Sequence, residues 1–133
     1  MAEPEAIREE KERHHYAVEQ MADFYRPWID VSSDGVFIYL DDEHKTCNRN
    51  CADMFGYTIE EWSAIHPFLE RLVAPESRRQ AAADYAQVSE DGISRISHQT
   101  LVRKDGSTFR ADMAMVPVMA GDDFFTINLI REL

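Results

Sequence analysis

The sequence predicts an α+β domain in which a five-stranded antiparallel sheet carries short helices on one face and a flanking helix precedes it. Three observations carry this. Val36 to Leu40 is a continuous apolar run of strand formers that ends in the charged turn Asp41-Asp42-Glu43, a hairpin signal. Glu76 to Val88 is alanine-rich, with arginines and a carboxylate, and Gly92 follows as a stop. Residues 94–130 divide at Lys104-Asp105-Gly106-Ser107 and at Ala120-Gly121-Asp122 into three extended segments, and an Asp-Gly pair suits a tight hairpin.

Residues 1–30 form the flanking unit and residues 31–133 the body. From Glu5 to about Trp28 the chain is polar and helix-favouring, with a dilute stripe of Ile7, Val18, Met21, Phe24, Tyr25 and Trp28. Ile7, His14, Met21 and Trp28 recur at seven-residue intervals, which allows a short coiled-coil seam; a helix docking one face on its own domain gives the same pattern. Pro27 argues against continuous helix there, and Ser32 to Gly35 make a turn. A short second strand follows near Thr46. Ala52 to Tyr57 and Ile59 to Leu72 have helical spacing interrupted by Gly56 and Pro67, which predicts several short helices. After the helix of residues 76–88 come three strands, Ser94 to Val102, Thr108 to Met119 and Phe124 to Ile130.

A length of 133 residues suits one core. The 25 acidic against 14 basic residues give a net charge of -11, a field that repels phosphate backbones and anionic lipid surfaces. Nucleic acid and membrane are thus excluded as expected partners. The sequence has no apolar run near the ~20 residues of a membrane span, and the leading segment has no signal-peptide centre, so a cytoplasmic location is expected. Cys47 and Cys51 lie too close together for a disulfide framework and read as reduced thiols.

Asn48, followed by Gly56-Tyr57-Thr58 and then Glu60, Glu61 and Trp62, resembles the helical segment of the PAS sensor family, and Lys104-Asp105-Gly106-Ser107 resembles that family's strand-turn-strand. The resemblance covers roughly Val31 to Ile130. It implies a sensory or dimerising module of bacterial-type signal transduction, with a homodimer and an effector protein or domain as partners. Capping residues and turns of any α+β domain would account for the same motifs one by one.

Flavin-binding members of the family carry a Gly-x-Asn-Cys-Arg motif after the Glu-Glu helix, where this chain reads Ser63-Ala64-Ile65-His66-Pro67-Phe68. The positions that resemble the flavin-reading amides are Leu101, Ala111 and Asn128, so only one amide remains, and flavin is disfavoured. Haem-binding members use a histidine from the long helix; residues 76–85 contain none, and haem is disfavoured too. His44, Cys47 and Cys51 match no strong zinc spacing, so no metal is expected.

Extending strand alternation from those three positions places Gln99, Leu101, Ala111, Met113, Met115, Thr126 and Asn128 toward the helices, joined by Ile38 and Leu40 of the first strand and by Met54. Small Ala111 beside flexible methionines leaves room for a compact, mainly apolar organic ligand oriented by Gln99 and Asn128; the same side chains could equally fill the space. The opposite face, with Phe37, Tyr39, Ala114, Val116, Phe125, Ile127 and Leu129, is apolar enough to require a cover. Ile7, Val18, Met21, Tyr25 and Trp28 of the flanking helix, or a second copy of the chain, would supply it.

An enzyme of the cone-shaped ketosteroid-isomerase type is the alternative, with Asp84 or Asp112 as general base. The register turns Asp112 away from the helices, and no catalytic set can be assembled. His14, His15, Asp41-Asp42-Glu43 and Arg78-Arg79 read as solvated charges. The family's usual link to an output domain has no counterpart in Ile130-Arg131-Glu132-Leu133.

Overall fold

The computed structural model describes residues 4–133; residues 1–3 of the flanking unit lie outside them. Helix α1 (Glu5–Ile29) leads into strands β1 (Gly35–Asp41) and β2 (His44–Cys47). Helices α2 (Arg49–Phe55), α3 (Ile59–Ser63), α4 (Phe68–Leu72) and α5 (Pro75–Asp91) follow, then strands β3 (Arg95–Val102), β4 (Thr108–Ala120) and β5 (Asp123–Glu132). All neighbouring strands pair antiparallel in the order β2-β1-β5-β4-β3. The α+β expectation holds.

Contrary to expectation, Pro27 sits inside α1. Its ring nitrogen has no hydrogen to give the Asp23 carbonyl, so α1 forgoes one bond of its ladder there, with only Trp28 and Ile29 of the helix beyond it. The Asp30 N–H closes the helix on the Arg26 carbonyl.

Asn48 caps α2 and does more. Its Oδ1 accepts from Cys51 N (2.9 Å) and Val36 N (3.0 Å), while its Nδ2 donates to the carbonyls of Ile29 (2.7 Å) and Asp34 (3.3 Å). One buried amide thus joins the end of α1, the start of β1 and the start of α2. Gly56 ends α2 at φ 83°, a left-handed turn open to glycine at no steric cost, and the following amide of Tyr57 returns to Ala52 O. Thr58 and Glu61 exchange backbone and side-chain hydrogen bonds in a capping box that starts α3. The turn after β3 docks on this segment: Lys104 N donates to Phe55 O at 2.8 Å and the Lys104 ammonium pairs with Glu61.

The sheet separates two cores. On the inner face, Trp62 is fully buried among Phe37, Phe55 and Phe68, with ring centroids 5.2–5.5 Å away. On the outer face α1 lays Val18, Met21 and Ala22 over Ile38 and Phe125, with Tyr25, Leu40, Val118 and Ile127 at the edge.

Register fixes which side chains share a face. Ala111, Met113 and Met115 of β4 stand opposite Gln99, Ser97 and Arg95 of β3, and Met115 opposite Asn128 of β5, all toward the helices. In β1 the phase is the reverse of the expected one. Phe37 pairs with Asn128 and Tyr39 with Thr126 on the inner face, whereas Ile38 pairs with Ile127 and lies under α1 with Leu40. A run in which every residue is apolar carries no alternation from which to read the phase. Among the described residues no helix is long and apolar enough to cross a membrane.

Candidate functional site

A cavity of about 220 Å³ lies between the inner face of the sheet and helices α4 and α5. Its floor is Leu101, Met113, Met115, Thr126, Asn128 and Ile130, and its walls are Phe37, Tyr39, Phe55, Phe68, Leu69, Leu72, Val73, Ala81, Ala82 and Tyr85. The volume is below the ~300–1,000 Å³ typical of pockets for drug-sized ligands, so it suits a compact molecule.

Local structure builds these walls. Pro75 sits at the first turn of α5, and the entry is pinned to β3 by Ala74 N to Thr100 O (2.9 Å) and by Thr100 N to Ser77 Oγ (3.0 Å). Arg78, expected to be solvated, donates to the carbonyls of Val73 and Glu70, both at 3.0 Å, and thereby satisfies the end of α4. Alanines at 81 and 82 leave the space open above the sheet.

Polar groups in the lining are few. Asn128 Nδ2 donates to Thr126 Oγ1 at 3.0 Å, and both residues are buried. The Tyr39 hydroxyl donates to Asp42 Oδ1 at 2.7 Å, and Asp42 Oδ2 accepts from Phe68 N at 3.2 Å. Burial, reinforced by the Asp42 hydrogen bond, pushes the Tyr39 phenol far above its ordinary pKa, so it remains a donor at all physiological pH. Tyr85, its edge turned to Tyr39 at 5.7 Å, is also raised by burial. Of the acidic turn expected to be solvated, Asp42 therefore holds two lining residues, Tyr39 and Phe68, from behind. Lys45, buried behind it, donates to the carbonyls of Asp42 and Ser63; burial lowers its pKa against the opposing pull of Asp42, Asp41 and Glu43.

The structure gathers some of the expected residues and disperses others. Leu101, Met113, Met115, Thr126 and Asn128 line the cavity. Gln99 and Ala111 are buried on the same face outside the lining; the Gln99 Nε2 donates to Ser97 Oγ, and its Oε1 accepts no hydrogen bond. Met54 packs toward Gly35 instead, its methyl 3.3 Å from where a Cβ would stand. Ile38 and Leu40 are on the other face. Phe37 and Tyr39, expected outside, take their places, and the walls from α4 and α5 were not anticipated because a helix wall needs the tertiary crossing, not the sequence spacing.

On the outer face Val18, Met21, Tyr25, Phe125 and Ile127 meet as expected. Val116 and Leu129 share that face without joining the cluster under α1. Ile7 and Trp28 do not pack there: they are 45% and 74% exposed. Cys47 and Cys51 are free and buried in the inner core; burial, reinforced by a hydrogen bond that the Cys51 thiol gives to Cys47, raises the Cys51 thiol well above its ordinary pKa, which makes it inert packing. Asp112 lies on the outer face paired with His98, and Asp84 holds Gln80 at 2.8 Å without lining the cavity. No carboxylate is among the lining residues.

No family model matches the chain, and no curated protein matches it. Solved structures do. A PAS domain from Colwellia psychrerythraea superposes with a TM-score of 0.69 at 15% identity, covering 85% of this chain and 97% of that one. A domain of a sensory box sensor histidine kinase/response regulator from Geobacter sulfurreducens gives 0.64 at 22% identity, over 86% of this chain and 96% of that one. The LOV protein of Rhodobacter sphaeroides gives 0.67 at 20% identity, over 86% and 68%. The chain has the PAS fold.

Proposed function

We propose that this chain is a sensory signalling module, cytoplasmic, whose input is a compact, mainly apolar ligand in the inner cavity and whose output is the seat of α1 on the opposite face of the sheet. One observation carries this reading: β5 sends alternate residues to both sites. Thr126, Asn128 and Ile130 line the cavity, while Phe125 and Ile127 support α1. A ligand that displaces Asn128 therefore shifts the strand on which Val18 and Met21 rest. The PAS neighbours from sensor histidine kinases support the assignment by analogy of fold. Flavin and haem are not the ligands we propose. A lone lining amide, already bonded to Thr126, and the absence of histidine from the lining residues fit neither chemistry. Native mass spectrometry of the purified protein, compared with its denatured mass, is expected to show an added small mass that is lost in Ala82→Trp, a bulky side chain at the exposed mouth. Equal masses, together with no amide shift at Asn128 across a library of small apolar compounds, would sink the proposal.

A further inference from the structure

Outside the cavity, two imidazoles and a carboxylate from three elements converge beside the flanking helix. His14 of α1, Asp41 at the end of β1 and His44 at the start of β2 each present a donor atom, and these atoms all lie within 4.8 Å of one another. Asp41 Oδ1 and His44 Nδ1 are 2.7 Å apart, and the His14 ring stands edge-on to that of His44 with centroids 5.5 Å apart. We propose that His14, Asp41 and His44 bind a divalent transition-metal ion of the zinc type, which bridges the flanking helix to the β1–β2 hairpin.

The donor chemistry favours this ion class. Zinc accepts imidazole nitrogen and carboxylate oxygen at about 2.0–2.2 Å, and three protein donors leave its fourth tetrahedral position to water. Donors at that range stand roughly 3.3 Å from one another around the ion, between the closest separation here and the widest, so side-chain rotation suffices to close the set. Two of the three donors are already held. His44 is buried opposite Asp41 in the hairpin pairing, and His14 sits four residues before Val18 on the sheet-facing stripe of α1.

The surrounding charge points the same way. Glu10, Asp41, Asp42, Glu43 and Asp123 lie in or around the cluster, against Lys11 and Arg13. Asp123 Oδ1 is 3.3 Å from His14 Nε2, an orienting partner of the kind that fixes a ligating imidazole. Lys11 is paired with Glu43 at 3.5 Å. Arg13 lies 2.9 Å from the same His14 nitrogen; an ion on Nδ1 requires that nitrogen to direct its proton to Asp123, so Arg13 gives up this contact and keeps its 3.0 Å bond to Asp123. The cysteines that follow His44 in sequence play no part. Cys47 and Cys51 belong to the inner core with Phe37 and Trp62, whereas His44 meets α1.

Such an ion would fasten α1 to the sheet independently of anything bound in the cavity, so the two proposals stand or fall separately. The test uses the full, untagged chain titrated with zinc chloride by calorimetry, with cobalt(II) absorption as the readout of coordination geometry. One ion per chain is expected, with tetrahedral cobalt bands. His14→Ala and Asp41→Asn should each weaken binding at least as much as the ~10–100-fold lost when an outer-shell partner is removed. Zinc should raise the thermal midpoint of the native chain and of His15→Ala, His66→Ala and His98→Ala, and leave that of His14→Ala unmoved. His44→Ala should abolish the cobalt bands; circular dichroism tells whether that variant folds, and if it does not, the His14 and Asp41 variants decide. Failure of the native chain to saturate, or binding that survives both the His14 and Asp41 changes, or binding lost in His66→Ala or His98→Ala, would overturn the proposal.

Discussion

Asn48 is the residue on which most depends. Its amide satisfies two backbone donors and two carbonyls at the meeting of α1, β1 and α2, and it is buried, so water cannot replace it. Replacement by alanine removes a helix cap, worth ~1 kcal/mol, and strands the buried Val36 N–H at a further 1–3 kcal/mol or so. Asn48→Ala is thus expected to lower unfolding stability by about 3 kcal/mol in urea titration; a loss below about 1 kcal/mol would reduce Asn48 to an ordinary cap. The sequence showed Asn48 as a cap because capping is local. Its bonds to Ile29 and Val36 join residues that only the tertiary fold brings together, and no spacing rule reports them. The same limit governs Tyr39: the alternation in β4 and β5 is readable because polar residues such as Arg110 and Asp112 mark one face, but Val36 to Leu40 offers no polar marker, and its phase was inverted.

At the scale of elements, α1 is the cover for the outer sheet face. It buries Val18, Met21 and Ala22 against Ile38 and Phe125, so the requirement for a cover, inferred from hydrophobicity alone, is met within one chain. Deleting residues 1–28 leaves Ile38 and Phe125, each now fully buried, open to water. Burial of one such side chain is worth about 1.5–3 kcal/mol, so a truncated chain with this face bare is expected to self-associate. Light scattering should show a mass that grows with concentration; a truncated chain that stays monomeric without aggregating would mean that α1 is not needed as a cover. Where the sequence misjudged this element it did so at its end: Pro27 costs α1 one ladder bond, but only Trp28 and Ile29 of the helix lie beyond it.

For the whole molecule, the five-stranded α+β plan is readable from the order of turns and strands, whereas the β1–β5 pairing that closes the sheet and the helix walls of the cavity join residues that only the tertiary fold brings together. Phe24 and Trp28, one helical turn apart on α1, are 75% and 74% exposed, although large aromatics normally bury most of their area. If two copies of the chain associate through α1, this exposed pair is where their helices would meet. A chain of net charge -11 repels its copy, so association should tighten as salt screens that repulsion over ~10 Å at 0.1 M. The double variant Phe24→Glu with Trp28→Glu should be monomeric at every salt concentration. Its unfolding free energy as a monomer should stay within about 0.5 kcal/mol of the native one, because neither side chain contributes to the core. If native and variant chains show the same mass by light scattering at high salt, whether both monomer or both dimer, then α1 does not hold the contact.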